Sequence, residues 1–181
     1  MAKPTRALAG GITVFVLLLA HRVDASHQRE VDAPQESAGA RVRTQDLDLS
    51  ALIRQATDRS PTFRGLVDAI QASDGIVYVQ RDRCRHYVRS CLVLWMGLAG
   101  PYRVLRVNVA GSKNDIETMA SIAHELRHAL EVLSEPGVRS SEGMYQLYTR
   151  NHARRGETFE TAAAIDAENA VYKELKRRRQ N

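Results

Sequence analysis

Three observations predict an α+β domain. Capped, helix-period segments stand near its start; three short runs rich in Val, Leu, Tyr and Trp follow; and two longer segments of helical period come last. The expected architecture is N-terminal helices, an about three-stranded and mostly antiparallel sheet, then two helices at the C-terminal end. Each element has its own signal. Residues 1–25 read as a signal peptide: Lys3 and Arg6 precede an apolar stretch from about Ala7 to Ala20, and Val23-Asp24-Ala25 offers the small residues that a signal peptidase favours. The apolar run is shorter than the about 20 residues of a membrane span, so cleavage is expected over anchoring. Residues 26–47 are polar and without period, a flexible leader.

A single domain is then expected over 48–181. Ser50 is read as the cap of a first helix carrying Leu52 and Ile53. Ser60-Pro61 is a cap followed by an N1 proline, opening a second helix with Phe63, Leu66, Val67 and Ile70 inward. Asp74-Gly75 turns the chain into strands at Ile76–Gln80, Leu92–Leu98 and Tyr102–Val109. Gly100-Pro101 is short enough to make the last two an antiparallel hairpin. Asn114-Asp115-Ile116-Glu117 reads as an N-cap with a glutamate three residues on, starting a helix at about Asp115 whose apolar stripe includes Met119, Ala123, Leu126 and Leu133. Pro136-Gly137 stops it. A short helix around Glu142–Tyr148 and a last helix from about Thr158, presenting Phe159, Ala163, Ala167, Val171 and Leu175, complete the order.

The two cysteines, Cys84 and Cys91, form an even count behind a secretory start, so a disulfide is expected over metal binding. Closing so short a loop is worth about 2.5 kcal/mol on the chain-entropy model. The net charge is +5, and residues 1–25 hold Lys3, Arg6 and Arg22 against Asp24, so +3 remains beyond them. Much of that lies in Lys176-Arg177-Arg178-Arg179, a terminal run without interleaved aromatics. It reads as a solvated helix end favoured by the macrodipole, and no nucleic-acid partner is expected.

The chemistry is carried by His124-Glu125-Leu126-Arg127-His128, an HExxH sequence in an apolar helical context. Histidines four apart share one helix face, so both imidazoles can reach one tetrahedral Zn²⁺ ion. The glutamate after the first histidine is rotated toward a water on that ion, the position of a general base. The plain alternative is a core helix with partly buried histidines and an Arg127–Glu131 pair. A zinc hydrolase needs a third protein ligand, and the downstream carboxylates are Glu157, Glu160, Asp166 and Glu168. Glu160, in Phe159-Glu160-Thr161-Ala162, is preferred because small residues beside it let two helices approach; Glu157 and then His152 follow. Glu131 lies a turn beyond His128 and suits a hydrogen-bond acceptor for a ligating histidine better than a ligand. Tyr145, Tyr148, His152 and Arg154 are the candidates to stabilise an oxyanion.

On these residues the chain resembles the zincin metallopeptidases, and its order of strands, HExxH helix and later glutamate looks like their gluzincin branch in a minimal, single-domain form. His124–Glu131 followed by Phe159-Glu160-Thr161 is also similar to a group of uncharacterised bacterial exported proteins. There is no HExxHxxGxxH extension, Glu131 standing where the glycine would be, so the metzincin branch does not fit. The resemblance implies an exported, secreted or periplasmic zinc peptidase acting on a peptide or protein. In it His124, His128 and Glu160 hold the metal, Glu125 moves the proton, and an edge strand receives extended substrate. The alternatives are an exported zinc-binding module without turnover and a disulfide-stapled binding domain without metal.

Overall fold

The computed structural model describes residues 39–85, 88–110, 114–151, 154–155 and 158–177. The segment expected to be a signal peptide, most of the expected leader, His152, Glu157, the Arg154 side chain and the residues beyond Arg177 lie outside what is described. In chain order the elements are β1 (Val42–Arg43), α1 (Leu47–Arg59), α2 (Pro61–Ala72), β2 (Gly75–Arg81), β3 (Ser90–Ala99), β4 (Tyr102–Val109), α3 (Asp115–Leu133), α4 (Ser141–Asn151), β5 (Arg154–Arg155), β6 (Thr158–Phe159) and α5 (Ala162–Arg177). The α+β class is as expected.

Local chemistry explains most boundaries. Ser60 accepts from the Phe63 amide and Pro61 supplies N1 of α2. Asn114 accepts from the amides of Ile116 and Glu117, so α3 opens where the capping pattern places it. The cap of α1 is Asp46, not Ser50: its carboxylate accepts from Leu49 N at 2.9 Å and pairs with Arg81. Folded structure therefore begins ahead of residue 48, because Val42–Arg43 also pairs with β2. Gly100 has φ +60, and Pro101 cannot follow it there, which leaves a type II′ turn between β3 and β4.

The sheet has four strands in the order β1-β2-β4-β3, and it corrects the mostly antiparallel expectation. β1 runs parallel to β2 and β2 parallel to β4; the β3–β4 hairpin alone is antiparallel. The connection after β2 carries the chain past β4, so β3 returns on the far side and β2 takes an interior place. The nearly continuous burial of β2 suits that place. Val77, Val79, Leu105, Val107 and Val109 alternate onto one face and join Phe63, Ile70, Ile122, Leu126 and Val132 in the core. Helix α3 lies in the middle, touching β2, β3 and β4 on one side and α2 and α5 on the other. Among the described residues no helix is long and apolar enough to cross a membrane.

The C-terminal end of α3 is closed by Arg103. Its guanidinium is 1 % exposed and donates to the carbonyls of Val132, Leu133, Glu135 and Val138 at 2.7–3.1 Å while gripping the Asp74 carboxylate at 2.6–3.1 Å. Carbonyls that helix geometry leaves without partners thus find donors inside the protein.

Candidate metal centre

Mid-helix on α3, His124, Glu125 and His128 are 8 %, 4 % and 4 % exposed. The Nε2 atoms of His124 and His128 face each other at 3.1 Å. Glu160 arrives from the segment before α5 and sets Oε2 3.2 Å from His124 Nε2, so that two nitrogens and one oxygen lie within 4.8 Å of one another. A tetrahedral ion with bonds of 2.0–2.1 Å spaces its ligands about 3.3 Å apart, which the two short separations approach.

The outer nitrogens explain why the inner ones converge. His128 Nδ1 is 3.0 Å from Glu131 Oε2, and His124 Nδ1 is 3.1 Å from Glu168 Oε2. The second contact is a charge contact rather than an aligned hydrogen bond, since that buried nitrogen has no partner of good geometry. With a proton on Nδ1 of each ring, beside these carboxylates, the lone pairs of both Nε2 atoms would be aimed at each other and at Glu160. Three electron-pair donors with no proton between them are mutually repulsive unless a cation lies among them, and two imidazoles with a carboxylate suit zinc.

Charge around the ring is balanced. Burial would depress His124, but the carboxylates of Glu168, Glu125 and Glu160 outweigh it and raise its pKa. The His124 imidazole beside it lowers Glu168. Burial opposes ionisation of Glu131, yet His128 and Thr161 hold it below the ordinary value. Burial raises Glu125, against the pull of both histidines and of its two donors, Ser90 Oγ at 2.8 Å and Leu92 N at 2.6 Å. A glutamate raised in this direction moves toward the range of a general base.

Thr161 ties down the segment that carries Glu160. Its hydroxyl accepts from Ala164 N at 3.1 Å as the α5 cap and donates to Glu131 at 2.8 Å. Glu160, adjacent in the chain, is thereby tied to α3. The last helix begins at Ala162, so Glu160 and Phe159 precede it instead of lying within it: the Thr161 cap, not Thr158, starts the helix. The structure brings together His124, Glu125, His128 and Glu160, sets Glu131 against His128 Nδ1 where the sequence expects an acceptor, and adds Thr161 and Glu168. Glu168 was visible as a downstream acid; its spacing seven after Thr161 could have put it on the α3-facing side of α5. Asp166 is exposed and away from the ring.

Tyr148 is not free to stabilise an oxyanion: it is buried, its hydroxyl donates to His128 O at 3.1 Å, and its ring stacks on Phe159. Tyr145, 42 % exposed, lines the cleft beside the ring. That cleft, about 730 Å³, is lined by Tyr145 and Phe159, by both histidines and by Cys84 and Cys91, which are joined in a disulfide. Its floor includes Leu92 of β3, the antiparallel strand at the sheet edge. No protein-family model, curated protein or solved structure matches the chain.

Proposed function

We propose that this protein is an exported zinc-dependent hydrolase, most specifically a peptidase. The observation that carries the reading is the convergence of His124 Nε2, His128 Nε2 and Glu160 Oε2 within 4.8 Å, with a carboxylate behind each histidine. His124, His128 and Glu160 would hold the metal. When bound, zinc lowers the pKa of water and polarises a carbonyl. Glu125 accepts the proton of the attacking water at its carboxylate and returns it to the departing amine. Glu131 and Glu168 keep both imidazoles in the Nδ1–H form, and the Tyr145 hydroxyl donates to the oxyanion. The outer edge of β3, apart from the Leu92 and Met96 amides that donate to Glu125 and Ser141, offers main-chain groups to an extended peptide laid along the cleft. Export is supported by the disulfide, which persists in oxidising compartments.

One observation favours a second reading. Both Glu125 oxygens already accept from β3, and a glutamate that stays so bound would leave a zinc-binding module without turnover. Metal content and hydrolysis together decide. The hydrolase reading expects one zinc per chain, lost in Glu160→Ala, and a Glu125→Gln variant that keeps zinc but cleaves no peptide from a mixed library. Equal cleavage by Glu125→Gln sinks the mechanism; zinc without cleavage in the wild type leaves the module; no zinc in the wild type removes both.

A further inference from the structure

The hydrolase reading above leaves the substrate open, and an inference resting on it narrows the class. Four arginines lie close together along the chain from the end of β2 to the start of β3. Arg81 pairs with Asp46 and Asp48, and Arg89 with Glu117. Arg83 and Arg85 line the cleft instead, are exposed, and have no ion-pair partner among the described residues.

Their backbone is anchored. Cys84, between them, is bonded to Cys91; Arg83 N donates to Asp82 Oδ1 at 2.7 Å, and Arg83 O accepts from Asn108 Nδ2 at 3.4 Å. Asn108 is itself buried in β4 and accepts from Gln80. Two arginines beside Cys84 are thus presented to the cleft from an anchored stretch of chain, at less entropic cost on binding than from a free one. The acids of the cleft, Glu125 and Glu160, face β3 donors and His124. They leave the arginine end uncompensated, while Val88, Leu92, Tyr145 and Phe159 make much of the remaining wall apolar.

We propose that Arg83 and Arg85 select peptides that carry a carboxylate, as an acidic side chain or a free C-terminus, on the flank of the reacting bond that lies toward the Cys84–Cys91 loop. A planar guanidinium fork pairs with a carboxylate in two parallel hydrogen bonds, and an apolar stretch beside that carboxylate covers the rest of the cleft.

The test is fluorescence anisotropy on the full, oxidised chain in chelator, which stops turnover. The probes are labelled apolar peptides of roughly eight residues, a length that spans a standard cleft. They differ by one Glu, Gln or Lys at successive positions and by a free or amidated C-terminus. Carboxylate peptides should bind about fivefold or more tighter than their Gln or amide counterparts at low salt, the gap closing at high salt. Arg83→Gln/Arg85→Gln should abolish the gap, and because both side chains are exposed and make no ion pair among the described residues it should leave the fold intact by circular dichroism. Arg54→Gln/Arg64→Gln, an equal charge change on residues that do not line the cleft, should preserve it. Comparing the internal Glu with the free C-terminus tells the two carboxylate sources apart. Equal binding of Glu and Gln peptides, a gap that survives Arg83→Gln/Arg85→Gln, or no peptide binding overturns the inference. Selective binding without cleavage once zinc is restored refutes the hydrolase reading and spares the selection; cleavage of neutral and acidic peptides with equal binding does the reverse.

Discussion

Replacing Arg103 by Met should cost about 3–5 kcal/mol, the range for breaking a buried ion pair by removing one partner. The structure places the case in that range. Arg103 is 1 % exposed, so water cannot take over its role; the carbonyls of Val132 and Leu133 in α3 and of Glu135 and Val138 in the turn after it would each lose a donor, though Val132 and Glu135 keep a backbone one, and the Asp74 carboxylate would lose its partner. Asp74 is only partly buried and recovers some hydration, which argues for the lower half of the range. A domain stable by about 5–15 kcal/mol survives the change but is visibly weakened. Urea unfolding followed by circular dichroism measures it, with Asp74→Asn and the double variant completing a cycle that isolates the pair. The same pair predicts a pH response. The hydrogen bond from Arg103 holds Asp74 below its ordinary pKa, so its contribution is fully present above the unfolded value of about 3.9 and fades as pH falls through the lower folded one. Arg103→Met should flatten that acid limb. An Arg103→Met protein within 1 kcal/mol of wild type, or one whose acid limb is unchanged, would refute the view that this guanidinium closes α3; the threshold is roughly the usual effect of a surface change.

Three further outcomes follow from the same coordinates. Glu168→Ala should weaken zinc binding by about 10–100-fold while Glu160→Ala removes it, as read by competition with a chromophoric chelator; equal losses would make Glu168 a ligand instead of a support for His124. Thr161→Val should destabilise the chain by about 1 kcal/mol through the lost α5 cap and also weaken zinc binding, because Glu131 and Glu160 lose their tether; a stability loss with unchanged metal affinity would separate the two roles. Cys84→Ser/Cys91→Ser should lower unfolding free energy by about 2.5 kcal/mol, measured in denaturant, and no loss would mean that the loop is already ordered without the bond.

How much could be read before the fold was seen depended on whether the cause is local. Asn114 opening α3, Ser60-Pro61 opening α2 and Gly100-Pro101 turning β3 into β4 are decided within a few residues, by caps and by allowed φ, and those elements stand where the sequence places them. The shared helix face of His124 and His128 follows from 3.6 residues per turn alone. Asp46 was overlooked as the α1 cap because Ser50 is an equally good capping residue, and what separates them is the reach of Asp46 to both Leu49 and Arg81.

Only the tertiary structure decided the rest, since the interactions span the chain. The sheet order depends on which side of β4 the chain passes after β2, a choice that local pattern does not encode. Arg103 alternates in phase with Leu105 and Val107, a hint that it points inward, yet its partners are carbonyls about thirty residues away. The chemistry was legible as a pair of histidines with a glutamate between them, and Glu131, one turn beyond His128 on the same helix, was legible as its acceptor; that Glu160 joins the set, that Glu168 stands beside His124, and that Arg83 and Arg85 line the same cleft arise from packing α5 and the disulfide loop against α3 and β3. A helix carries its own ligand spacing, but a third ligand, a proton acceptor and a substrate pocket exist only where separate segments meet.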